Sequence, residues 1–155
     1  MAKVTVLGAG AWGVALGNLL HDNGNDVTMW TFLEKEADML KNDRENKVSL
    51  PGVKIPDGIA ITTDFDKAVE DKDIIVLATA SRFIRETSAK LKGKVREHQI
   101  IVNVSKGTAD AAIHIYNKSH LFHTFTSAVG SVGMGSQGRK SSGSSQTPSG
   151  APSAI

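Results

Sequence analysis

The chain has 155 residues, 18 Lys and Arg against 16 Asp and Glu, and no cysteine. That length suffices for one domain with its own core, and the lack of cysteine excludes disulfides and thiolate metal sites. Residues 1–135 balance 16 basic against 16 acidic side chains, the excess of two being Arg139 and Lys140, so no basic stripe argues for nucleic acid or an anionic membrane as a partner.

Lys3-Val4-Thr5-Val6-Leu7 reads as a strand that runs into Gly8-Ala9-Gly10-Ala11-Trp12-Gly13. Starting a strand this early leaves no room for a secretion signal, and no apolar run reaches membrane-spanning length. A soluble, cytoplasmic protein is expected. A strand, a G-x-G-x-x-G turn and a helix, in that order, build a site for a dinucleotide pyrophosphate. Gly8 permits the tight turn, Gly10 lets phosphate approach the backbone, and Gly13 lets the helix pack close to the sheet. The anion then meets the free N–H groups of a helix N-terminus.

Trp12, Ala15, Leu16, Leu19 and Leu20 predict one apolar helical stripe, which Asn23-Gly24 should stop. Asp26 to Trp30 is the second strand. Leu33, Ala37 and Leu40 fit one face of a second helix, with Glu34 as a solvated acid at its start. Asn46, Leu50-Pro51-Gly52 and Ile55-Pro56 mark an ordered loop. Ile59 to Thr62 is a modest third strand, and Asp64 caps a short helix carrying Phe65, Ala68 and Val69.

Ile74-Ile75-Val76-Leu77-Ala78 is apolar without alternation, as in a parallel strand covered on both faces. Ser81 is placed to cap a helix whose inner face holds Ile84, Thr87 or Ser88, and Leu91. The basic residues Arg82, Arg85, Lys90, Lys92, Lys94 and Arg96 are interleaved with apolar ones and fit a solvated face. Ile100 to Val104 is a further buried strand, ending in Ser105-Lys106-Gly107. The order predicts an α/β fold, a Rossmann-type doubly wound parallel sheet, with right-handed crossovers. Ligands bind such sheets beyond the carboxyl ends of the strands. Gly8 to Gly13, Trp30 to Phe32, Ala78 to Ser81 and Asn103 to Gly107 are all expected there.

Beyond Gly107 the pattern weakens. Residues 1–107 form the expected nucleotide-binding domain, 108–135 a poorly patterned segment, and 136–155 a disordered tail in which twelve of twenty residues are Ser, Gly or Pro. Only Thr124 to Val129 offers a further strand to cover Ile100 to Val104, and its alternation is weak. An uncovered edge of that kind invites self-association. His114, His120 and His123 lack the spacing of a metal site, and no metal is expected.

Several motifs stand in one register: Val6 to Gly13, Glu45-Asn46-Lys47, Leu50-Pro51-Gly52-Val53-Lys54-Ile55-Pro56, Thr62-Thr63-Asp64 and Val104-Ser105-Lys106-Gly107. Over about residues 2–107 the chain resembles the amino-terminal half of bacterial NAD(P)-dependent glycerol-3-phosphate dehydrogenase. The resemblance implies a hydride transfer between glycerol 3-phosphate and dihydroxyacetone phosphate, a step toward phospholipid precursors. It implies that Ala11 and Trp12 contact the cofactor, at a turn where the family commonly has Ser in place of Ala11. Trp12 has a plainer alternative as a core aromatic. Lys106 would touch both the cofactor and the polyol phosphate, where an ammonium suits a dianion; its plainer alternative is a solvated loop lysine.

Phe32 stands where the family often carries a base for a 2′-phosphate. With neither that base nor an acid for the ribose hydroxyls there, NAD and NADP both remain open. Past Gly107 the chain departs from the family, with no Gly-Pro-Ser turn and no second domain bearing the proton-accepting lysine. No catalytic residue is therefore assigned, and an inactive fragment of a dehydrogenase is expected. The alternative is a non-catalytic dinucleotide-binding module. A shifted reading frame after codon 107 would produce such a break, and the encoding nucleotides would show it.

Overall fold

A computed structural model of the chain describes residues 1–105 and 122–124. Strand and helix alternate: β1 (Lys3–Leu7), α1 (Ala11–Asp22), β2 (Asp26–Trp30), α2 (Glu34–Asp43), β3 (Ala60–Thr62), α3 (Phe65–Val69), β4 (Ile74–Leu77), α4 (Ser81–Leu91), β5 (Ile100–Asn103) and β6 (Phe122–Thr124). The strands lie in the order β3-β2-β1-β4-β5-β6, and every neighbouring pair is parallel. The chain thus winds outward from β1 on one side and resumes at β4 on the other. The connections leaving β1 and β4 diverge, which opens a crevice at their carboxyl ends.

Side chains alternate across a strand, so each central strand feeds two cores. Val4, Val6, Val27, Met29 and Val76 pack with Val14 of α1 and Leu40 of α2 on one face. Leu7, Trp30, Ile75, Leu77 and Ile101 pack with Ala68, Ile84 and Leu91 on the other. Burial on both faces is why β4 reads as a continuous apolar run. As expected, Asn23 caps α1 at its C-terminus and Gly24 follows with φ +82°. Asp64 caps α3, its carboxylate accepting from the N–H groups of Asp66 and Lys67.

Three expectations are corrected. The stripe foreseen on α1 faces the sheet only in part: Leu16 and Leu20 pack against the core, whereas Trp12 and Leu19 are 51% and 57% exposed, and the buried residues are Gly13, Val14 and Gly17. The helix lies too close to β1 and β2 for larger side chains, since a Cβ on Gly17 would stand 2.7 Å from Met29 Cε. Leu33 is half exposed, because α2 begins only at Glu34. Ser81 is the first residue of α4 and not its cap, which is Ala80, without a side-chain hydrogen bond.

The edge of β5 is covered, contrary to expectation. Phe122, His123 and Thr124 pair with Ile101, Val102 and Asn103, so the sheet reaches past residue 107 and the expected self-association loses its basis on that side. The remainder of 106–155, including Lys106, His114, His120 and the Ser/Gly/Pro-rich tail, lies outside the described residues. The basic residues between 82 and 97 are exposed, and Lys90, Lys94 and Arg96 pair with Glu86, Asp66 and Asp71.

Residues 44–59 form the ordered loop foreseen from the prolines. Arg44 donates to the carbonyls of Ile59 and Asp57 at 3.0 and 2.9 Å. Glu45 accepts from the Gly52 N–H at 2.9 Å and from Lys54 Nζ at 2.8 Å. Those bonds, the Gly52 N–H first and Lys54 next, hold the Glu45 carboxyl below its ordinary value. A carboxyl with a depressed folded-state pKa lends stability above its unfolded pKa and loses it as pH falls through the folded one. Acidification below about pH 4 should therefore loosen this loop before the sheet melts, seen as faster hydrogen exchange at Gly52. Glu45→Gln should exchange at the same rate across that pH range once intrinsic rates are divided out.

Candidate functional site

β1 ends at Leu7, the Gly8 N–H closes the ladder to β2 by donating to the Trp30 carbonyl at 2.9 Å, and the chain turns at Gly8. Gly8 has φ +123°, and a Cβ there would lie 2.7 Å from the Ala78 carbonyl oxygen. Only glycine fits that conformation and that space. A Cβ on Gly13 would lie 1.9 Å from the Gly8 carbonyl oxygen, so the first turn of α1 rests directly on the loop that precedes it. Gly10 differs from both. It has an ordinary backbone, φ −66°, and a Cβ there would meet nothing within 4 Å.

That open face borders a cavity of about 550 Å³. Three loops line it: Gly10, Ala11 and Trp12 after β1; Ala78, Thr79, Ala80 and Ser81 after β4; Val104 and Ser105 after β5. The wall is the start of α1, which carries no capping side chain and no acid in its first turn. The N–H groups there have no helical acceptor, and the macrodipole adds partial positive charge. An anion is the natural occupant. Trp12 lines the cavity with half its surface exposed, so the alternative of a core aromatic is set aside.

Two polar groups at the cavity end of the sheet lack a partner among the described residues. Thr79 Oγ1 is buried in the cavity wall, and Asn103 Nδ2 is buried at the end of β5. Asn103 Oδ1 accepts from the Ser105 N–H at 3.0 Å, and Ser105 Oγ donates to the Leu77 carbonyl at 3.2 Å. An unsatisfied buried hydroxyl costs on the order of 1–3 kcal/mol, which a bound polar ligand would recover. Polar partners, an open glycine and a helix start suit a phosphate-containing ligand such as a dinucleotide.

Phe32 does not line this cavity. It lies beside it at the exit of β2, 50% exposed, with its ring 6.5 Å from Trp30 and 5.3 Å from Phe83. Arg82 lies over the Phe83 ring at 4.7 Å. Thr79 and Ser105 were not singled out in the sequence, although their loops were, and Phe83 lies in the first turn of α4. A rule that inspects every residue in the first turn after each strand would have found them. Glu36, an acid near the end of β2, turns inward and accepts from Thr31 Oγ1 and Asn46 Nδ2. Among the described residues, no group of three His, Asp or Glu side chains could hold a metal ion, and no helix is long and apolar enough to cross a membrane.

Residues 3–125 match the family model described as NAD-dependent glycerol-3-phosphate dehydrogenase N-terminus. The chain is 49% identical over 107 residues to a glycerol-3-phosphate dehydrogenase [NAD(P)+] of Fusobacterium nucleatum, covering 69% of this chain and 32% of that protein. It is 47% identical, with the same coverage, to the protein of that name from Agathobacter rectalis. The chain thus spans about a third of the length of these relatives. Among solved structures, glycerol-3-phosphate dehydrogenase of Saccharomyces cerevisiae is similar at 29% identity and a TM-score of 0.63, over 68% of this chain and 34% of that one. The structure from Coxiella burnetii, at 16% identity and a TM-score of 0.68 over 80% of this chain and 54% of that one, shares the fold.

Proposed function

The chain belongs to the NAD-dependent glycerol-3-phosphate dehydrogenase family, matching its N-terminal part, and we propose on that basis that its cavity holds NAD(H) or NADP(H) for hydride exchange between glycerol 3-phosphate and dihydroxyacetone phosphate. The observation that carries this reading is the contrast among the glycines. Gly8 and Gly13 are packed against backbone, while Gly10 alone faces open space in the cavity. Gly10, Ala11 and Trp12 would hold the pyrophosphate at the start of α1. Phe32 and Phe83 would give the adenosine end an apolar shelf. Thr79 and Ser105 would face the remainder of the ligand. A bound reduced nicotinamide supplies the hydride.

Lys106 follows Ser105 directly, and we assign it to the cofactor and to the substrate phosphate, where its charge balances a dianion. Phe32 offers neither an acid to ribose hydroxyls nor a base to a 2′-phosphate, so both cofactors are assigned. The reading carries with it a cytoplasmic location and a supply of phospholipid precursor. It also carries the expectation that the 155-residue chain alone is inactive. The second reading, dinucleotide binding without catalysis, has one observation in its favour: among the described residues lining the cavity, no side chain is ionisable.

Titration with NADH and NADPH, followed by tryptophan and nicotinamide fluorescence, tests the shared part of both readings. Trp12→Ala removes a half-exposed side chain, so unfolding free energy should fall by less than about 1 kcal/mol. Its cofactor Kd should rise several-fold, because the indole lines the cavity. Unchanged affinity in Trp12→Ala would place the ligand elsewhere.

A further inference from the structure

Asn46 lies in the loop after α2, far along the chain from the glycine turn, yet it is fully buried behind it. Its amide has every hydrogen-bonding position filled. Nδ2 donates to the Ala9 carbonyl at 2.7 Å and to Glu36 Oε1 at 3.2 Å. Oδ1 accepts from the N–H groups of Val48 at 3.2 Å and Ser49 at 2.9 Å. The second Glu36 oxygen accepts from Thr31 Oγ1, one residue before Phe32.

The bonds to Val48 and Ser49 are an Asx-type turn and need no further role. The bond to Ala9 crosses 37 positions of sequence and serves a different end. In a trans peptide the C=O and N–H point to opposite sides. Drawing the Ala9 carbonyl inward therefore turns the Gly10 N–H outward, to the cavity that Gly10 lines. We propose that Asn46 is a positioning residue, whose side-chain amide holds the Ala9–Gly10 peptide so that the Gly10 N–H faces the phosphates of the dinucleotide. Through Glu36 and Thr31 the same network fixes the glycine turn relative to the exit of β2, which sets the spacing between the phosphate and adenosine ends of the site. The inference rests on the dinucleotide reading above.

Two variants separate the donor from its surroundings. Asn46→Asp keeps an acceptor for Val48 and Ser49 but presents an oxygen to the Ala9 carbonyl. Asn46→Ala removes the donor without adding charge. Both are checked for folding by circular dichroism, then titrated with NADH, NADPH and ADP-ribose. Each should bind at least tenfold more weakly than wild type. The Gly10 amide proton, followed by NMR, should move downfield at saturating ADP-ribose in wild type and by less than half as much in the variants. A loss of stability alone does not predict that difference at saturation. If Asn46→Ala does not fold, Asn46→Asp decides the matter by the Gly10 shift at saturating ADP-ribose, since salt screens a buried charge little. A folded variant that binds within threefold of wild type, with the full Gly10 shift, overturns the positioning role and leaves the cofactor reading standing. A wild type that binds none of the three ligands removes the cofactor reading and this inference with it.

Discussion

Gly13→Ala should destabilise the chain by about 3–5 kcal/mol, whereas Gly10→Val should leave folding intact and abolish cofactor binding. Both substitutions add side-chain atoms to the same glycine turn, and the structure separates them sharply. A Cβ on Gly13 would stand 1.9 Å from the Gly8 carbonyl oxygen. Gly8 cannot retreat, since the backbone of Ala78 already stands 2.7 Å from where its own Cβ would be. The strain must then open the contact between α1 and the sheet. Domains of this size have only about 5–15 kcal/mol of stability in total, so part of the population would be unfolded in mild urea. A Cβ on Gly10 would meet nothing within 4 Å, and its backbone suits any L-residue. Its unfolding free energy should lie within about 0.5 kcal/mol of wild type. A branched side chain there would nonetheless fill the space proposed for the phosphates. Wild type should gain about 2.7 kcal/mol at a hundredfold excess of cofactor over its Kd, and Gly10→Val should gain nothing. Equal cofactor stabilisation in Gly10→Val and wild type would remove the glycine turn from the site. A well-folded Gly13→Ala would show that the turn has slack which these distances deny.

The contrast also marks what could be read before the structure. Separate tasks for the three glycines follow from the strand, turn and helix signals around them, and the geometry gives Gly8 and Gly13 their packing. The central strands were legible because burial on both faces leaves uninterrupted apolar runs such as Ile74 to Leu77. Those strands put the loops after β1, β4 and β5 around one cavity. The packed face of α1 was not legible from hydrophobic periodicity. Gly13 and Gly17 carry no apolar side chain, yet they form the face that approaches the sheet. The larger Trp12 and Leu19 are left outside. Asn46 was visible only as part of a motif. Its role depends on a contact with Ala9 that no local pattern encodes. β6 is three residues long, too short for alternation to register. Phe83 stands among basic residues at the start of α4, and only the adjacency of β2, β1 and β4 brings it to Phe32.

The purified 155-residue chain should bind reduced cofactor and yet show no measurable reduction of dihydroxyacetone phosphate. Binding asks for what the cavity has: an open glycine, an uncapped helix start and polar groups without partners. Reduction of a carbonyl asks in addition for a proton donor within hydrogen-bond reach of the oxygen that becomes the hydroxyl. It also asks for groups that hold the substrate in line with the nicotinamide and stabilise the developing charge. Among the described residues, the cavity is lined by glycine, alanine, tryptophan, threonine, serine and valine. None of these titrates in the range where a general acid works, and the threonine and serine hydroxyls can orient a ligand but not protonate it. Two cations follow this wall directly in the sequence, Arg82 after Ser81 and Lys106 after Ser105; Arg82 lies over the Phe83 ring, and Lys106 is assigned to phosphate, which it serves best while charged. Cofactor oxidation, followed at the nicotinamide absorbance with excess dihydroxyacetone phosphate, should stay at the rate seen without substrate, and Lys106→Ala should leave that rate unchanged while weakening cofactor binding. Steady turnover by the wild type, lost in Lys106→Ala, would overturn the inactivity and make Lys106 part of the chemistry.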